Sequence, residues 1–145
     1  MKSFSSKEIK RHNYLISEIE NTYHEMSLKL GISDSAMAIL YTVCDSGDCC
    51  PLQEICRRSG IRKQTLNSAL RKLEQEDIVY LKSVGPRNKT VCLTPKGRQL
   101  AQRSAVQIIE AENDIFASWP EEDVDAFLAL TEKFLTALRK KAQQL

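Results

Sequence analysis

Ile9, His12, Ile16, Ile19, Tyr23, Met26 and Leu30 recur every three or four positions among charged and polar neighbours. That period draws a single stripe along one helix. Ser5 with Glu8 fits a capping box at its start, and Gly31 suits its exit. A helix of about six turns is longer than a small lobe needs for its own core. Its stripe is therefore expected to meet partners elsewhere.

"ISDSAMAILYTVCDSG" predicts a second helix, with Ser33 as N-cap and Gly47 beyond its end. "DCC" is short, consistent with a brief strand. Pro51 suits the first turn of a third helix, "PLQEICRRSG", which Gly60 ends. A fourth helix begins near Arg62. The period then changes: "IVYLKSV" and "TVCLT" are rich in β-formers and flank the turn-like "GPRNK", which predicts a hairpin with a basic tip. Thr94 before Pro95 starts another helix, continuous through "KGRQLAQRSAVQIIEAENDIFASW" with Leu100, Ile108, Ile109, Ile115 and Phe116 on its apolar side. Pro120 interrupts it. The last helix has acids in its first turn and bases in its last, matching the helix dipole, with Phe127, Leu128, Thr131, Phe134, Leu135 and Leu138 as its buried face.

Two helices joined by a short Gly-containing turn make a helix-turn-helix, and the hairpin after the second makes it winged. The fold class expected is mainly α (α+β): a winged helix-turn-helix lobe over residues 32–98, with long N- and C-terminal helices (5–31 and 95–145) forming a dimerisation lobe. The helix-turn-helix occupies about 51–76 and the wing about 78–94.

The charge distribution gives this frame a partner. Net charge is only +2, yet the segment from Arg57 to Arg98 holds eleven Lys and Arg against three acids. It is +8 within a chain whose remainder is −6. One basic segment in an acidic chain points to a polyanion-binding lobe. On a helical wheel Leu66, Ala69, Leu70 and Leu73 share one face, while Gln64, Ser68, Arg71 and Gln75 lie opposite, with Thr65 and Asn67 on the flanks. Arg can pair with guanine and Gln or Asn with adenine in a major groove. The expected reading surface is Arg62, Lys63, Gln64, Thr65, Asn67, Ser68 and Arg71. Arg57, with Arg58 beside it, and the wing residues Arg87, Asn88 and Lys89 are expected to hold phosphates.

Other chemistry is sparser. Five cysteines, an odd number, without a secretory signal favour reduced thiols over a disulfide framework. Cys56 and Cys92 fall at apolar core positions, and Cys50, preceding Pro51 at a helix start, is the candidate redox thiol. Cys49 and Cys50 are adjacent, unlike the spaced pairs zinc prefers, so no metal site is expected. No nucleophile elbow, P-loop or zinc-protease motif occurs; neither catalytic residues nor cofactors are expected. His12 sits in the first helix's stripe as an interface residue, and Trp119 beside Pro120 packs the dimer lobe.

"QEICRRSGIRKQTLNSALRKLEQEDIV" and "RNKTVCLTPKG" make the chain resemble the MarR family of winged-helix transcriptional regulators over nearly its full length, as a single MarR-type domain. The family's Leu-Thr pair followed by a Gly matches Leu93, Thr94 and Gly97, and its wing Arg falls on Arg87. The usual wing Asp is Gly85 here, so the family's Asp–Arg tether is not carried over. The resemblance implies an obligate homodimer with interlocking terminal helices, two winged lobes straddling a palindromic operator, and an effector pocket that Tyr14, Tyr23 and Tyr41 could line.

The expectation is a cytoplasmic homodimer binding double-stranded DNA as a repressor, relieved by a small-molecule effector and without a membrane partner. Its interface would include Ile9, Ile16, Ile19, Phe127, Phe134 and Leu138. Two alternatives stand beside it: a thiol- or metal-responsive sensor, and a winged-helix adaptor that binds protein rather than DNA.

Overall fold

A computed structural model describes residues 3–83, 85 and 87–145. Val84 and Pro86, both within the expected wing, lie outside the described residues. Helices α1 (Lys7–Lys29), α2 (Asp34–Asp45), α3 (Leu52–Ser59) and α4 (Lys63–Gln75) alternate with and precede strands β1 (Cys49–Pro51), β2 (Val79–Ser83) and β3 (Lys89–Leu93); α5 (Pro95–Gln102), α6 (Ala105–Ala117) and α7 (Glu121–Gln143) complete the chain. Two compact units result, residues 1–108 and 109–145, and α1 falls in the first.

The helix starts follow side-chain chemistry. The Ser6 hydroxyl, not that of Ser5, accepts the Ile9 N–H at the head of α1. Ser33 accepts the Ala36 N–H at the head of α2. Gly60 ends α3 in the left-handed region at φ 66°, where a side chain would be strained.

The first unit is built around one core. Ile39, Leu40 and Val43 of α2, Ile55 of α3, Leu66 of α4, and Val79, Val91 and Leu93 of the sheet are fully buried. Burying each is worth about 1.5–3 kcal/mol. The sheet has the order β1-β3-β2 and is antiparallel throughout, with Val79 opposite Leu93 and Ser83 opposite Lys89. A brief strand does form here, over Cys49–Pro51 and so one residue beyond "DCC", and β1 gives β3 a partner on its second edge.

Thr94 organises the exit from the sheet. Its hydroxyl accepts the Gly97 N–H at 2.9 Å and donates to the Asp77 carbonyl at 2.6 Å, while its own N–H donates to Ile78 O at 3.0 Å. Gly97 is packed so closely on this joint that a Cβ there would collide with the Ile78 carbonyl oxygen. The Leu-Thr-Pro-Lys-Gly run is a structural joint between wing and helix.

The single long helix expected after Thr94 is two. Ser104, fully buried, turns its hydroxyl onto Leu100 O at 2.6 Å, and its N–H donates to Ala101 O. This local bonding competes with the regular ladder and ends α5.

In the second unit Phe116, Trp119 and Phe127 form a triangle of edge-to-face contacts with ring centroids 5.3–6.0 Å apart. The expected buried face of α7 is not buried within the chain: α7 has no buried residue, and Phe127, Phe134 and Leu138 are 47%, 42% and 54% exposed. On α1, Ile9, Ile16 and Ile19 are likewise exposed. Among the described residues no helix is long and apolar enough to cross a membrane.

Candidate nucleic-acid interface

Leu66, Leu70 and Leu73 seat α4 on the core by their spacing alone. The opposite face is thereby turned outward. Arg62, Lys63, Gln64, Thr65, Ser68 and Arg71 are exposed, and Asn67 is half-buried. Ser68 donates its hydroxyl proton to Gln64 O at 3.2 Å, leaving its oxygen as an acceptor.

The fold brings the N-terminal half of this helix to the wing. An open groove of about 990 Å³ runs between α3, the start of α4 and the hairpin, lined by Arg57, Lys63, Asn67, Arg87, Asn88 and Lys89 with Gln53, Cys56 and the β1–β3 edge. Among the described residues no Asp or Glu lines it. Residues far apart in sequence thus converge as one cationic, amide-bearing surface. Arg62, just before α4, and Gln64, Thr65, Ser68 and Arg71 on it stand outside the groove lining. Arg87 is exposed and has no ion-pair partner among the described residues, and Gly85 occupies the left-handed region at φ 96°.

Not all the cations are available. Arg57 pairs with Glu54 one turn back yet keeps a 79% exposed side chain. Arg58 donates to Asp45 of α2 at 2.7 Å, and that hydrogen bond pushes its pKa further up. Arg58, expected to hold phosphate, instead straps α3 to α2. Arg98 pairs with Asp48 at 3.0 Å, and Lys96 donates to Glu76 O at 2.9 Å. Nothing in the local sequence signalled these long-range partners.

The cysteines depart most from expectation. Cys49 and Cys92 stand opposite one another in the β1–β3 ladder and are joined as a disulfide. Adjacent strands bring the two sulfurs together although 43 positions separate them. Cys50 points the other way, as strand alternation requires, and is a buried free thiol. Burial, then Asp48 and Asp45, push the Cys44 thiol up and keep it protonated. Among the described residues no group of three or more His, Cys, Asp or Glu is placed to hold a metal. Tyr14 and Tyr23 are exposed on α1, and Tyr41 is half-buried on α2.

Residues 30–87, the helix-turn-helix and the start of the wing, match the MarR family model. No curated protein matches the chain by sequence. Among solved structures, NMB1585, a MarR family regulator from Neisseria meningitidis, superposes with a TM-score of 0.84 at 16% identity, covering 96% of this chain and 99% of that one. MepR of S. aureus, solved as a complex with DNA, gives 0.66 at 20% identity over 94% and 99%. NadR, solved with 4-hydroxyphenylacetate, gives 0.69 at 16% identity over 92% and 96%. MarR family regulators are DNA-binding proteins rather than enzymes. By the match over residues 30–87 and by its fold, this chain is similar to the MarR family of winged-helix transcriptional regulators.

Proposed function

We propose that the chain acts as a homodimeric, sequence-specific repressor that seats two winged lobes on a palindromic duplex and is released by a small-molecule effector. The observation that carries the DNA reading is the groove in which Arg57, Lys63, Arg87 and Lys89 converge around Asn67, with no acid among the described lining residues. Amides and long cations there suit base edges and phosphates respectively. The exposed stripes of α1 and α7 support dimerisation, because apolar surface of that extent is seldom left in water. Dimeric readers of this type place equivalent helices about 34–36 Å apart, or a multiple of it. The MepR–DNA complex and the ligand-bound NadR support the duplex and effector readings by likeness of fold. A dimer on promoter DNA obstructs polymerase, which favours repression.

The test is fluorescence anisotropy with the promoter duplex of the chain's own operon and a random duplex of equal length. Arg87→Ala and Lys89→Ala are expected to weaken both duplexes alike. Gln64→Ala and Asn67→Ala are expected to erode discrimination, by about 1–3 kcal/mol for a bidentate base contact. Equal losses from both classes reject this division of roles, and no binding at low ionic strength rejects the function.

A further inference from the structure

The ring closed by Cys49 and Cys92 encloses every residue assigned above to DNA contact, from Arg57 to Lys89. The pair stands at the base of the wing. Two residues further along the same ladder Pro51 faces Thr90, and both line the cationic groove. β1 is only three residues long, and so short an edge strand holds weakly by itself. Leu93 N–H donates to Asp48 O at 2.9 Å just outside the pair, so Cys49 and Cys92 occupy a non-hydrogen-bonded rung, the closely spaced kind, with Cα atoms 4.1 Å apart. At that rung only the sulfur bond joins the strands. Access to the two sulfurs differs: Cys92 is fully buried, whereas Cys49 is partly exposed.

We propose that Cys49–Cys92 is a thiol–disulfide switch that fixes the base of the wing to the α3 edge and so sets affinity for duplex DNA; this rests on the DNA reading above. A thiolate of a small dithiol attacks Cys49 Sγ, the Cys49–Cys92 bond breaks, and Cys92 leaves as a thiolate that takes up a proton. The dithiol's second thiolate attacks its own sulfur in the mixed disulfide, closing a cyclic disulfide and releasing Cys49, which is protonated in turn. Two electrons and two protons pass from the dithiol to the protein, and an oxidised dithiol reverses the exchange. With the rung cut, β1 and β3 separate for part of the time. Apparent Kd then rises as the inverse of the fraction that keeps the groove formed. Reduction is expected to weaken binding about tenfold, corresponding to a competent fraction near one tenth.

The experiment uses the full chain, oxidised or reduced with dithiothreitol, against the same promoter duplex, alongside Cys49→Ser, Cys92→Ser and the Cys49→Ala/Cys92→Ala double variant. Thiols titrated in denaturant should rise from three to five on reduction. Expected are tight binding by the oxidised protein, about tenfold weaker binding after reduction, and variants fixed at the weak value whatever the redox state. Should a variant lose its helical circular dichroism, the reduced wild type carries the comparison. Five thiols that no oxidant lowers to three overturn the switch. So does equal affinity of the oxidised and reduced forms, with the DNA reading then intact. If neither form binds duplex while the thiol count changes, the DNA reading fails and the switch falls with it.

Discussion

Replacing Gly97 by Ala tests whether the joint after the wing is as tight as its geometry indicates. The added methyl would meet the Ile78 carbonyl oxygen head-on and sit 3.3 Å from Leu93 Cδ2. Neither neighbour can yield freely. Ile78 O accepts the Thr94 N–H at 3.0 Å, and Leu93 is fully buried. Overpacking of a well-filled site costs about 1–3 kcal/mol, and disturbing the Thr94 bond adds about 1 kcal/mol. The expected loss is about 2–4 kcal/mol, a large share of the roughly 5–15 kcal/mol that holds a domain folded. With a urea m-value of about 2 kcal/mol/M, the midpoint falls by about 1–2 M. Far-ultraviolet circular dichroism during urea titration reads this, at fixed protomer concentration because association would contribute to apparent stability. Thr94→Ser, which keeps the hydroxyl, is the control. A Gly97→Ala midpoint within about 0.2 M of wild type, at unchanged m-value, would refute the packing argument.

Thr94→Val removes the cap while keeping the shape, and a loss of about 1–2 kcal/mol is expected in the same titration. Cys49→Ala opens a loop of 43 positions; chain entropy puts the cost at about 4 kcal/mol under oxidising conditions. Dithiothreitol should erase the difference from wild type. Ile16→Glu on α1, or Leu138→Glu on α7, should convert a sedimenting dimer into single chains while leaving helix content high. A dimer that survives both substitutions would separate these exposed stripes from self-association.

Sequence periodicity was most informative where local chemistry decides structure. Ser33, Gly47, Gly60, Thr94 and Pro95 all mark boundaries because caps and left-handed turns depend on the residue at that position. Leu66, Leu70 and Leu73 likewise fixed which face of α4 turns outward. The cap of α1 is Ser6 and not Ser5, a difference local sequence does not resolve because two adjacent serines offer the same hydroxyl. The break at Ser104 has no local signal, because serine in a helix is ambiguous until its burial is known. The Cys49–Cys92 bond and the Arg58–Asp45 strap depend on a tertiary approach that no local spacing encodes. Convergence of Lys63, Asn67 and Arg87 in one groove was legible only through the winged frame as a whole.

Asp45 and Asp48 have a consequence for how the chain should respond to ionic strength. Arg58 and Arg98 are neutralised from within by these acids, and Lys96 is turned onto a carbonyl. A polyanion releases counterions only for phosphates that free cations neutralise, each contributing about −0.9 to the slope of log Kobs against log salt. The three groove cations without an ion-pair partner among the described residues, Lys63, Arg87 and Lys89, give a slope of about −2.7 per lobe. The segment's full excess of eight positive charges would have suggested about −7. Asp45 and Asp48 thus withdraw two of the segment's eleven cations from the electrolyte response that the linear charge count implies.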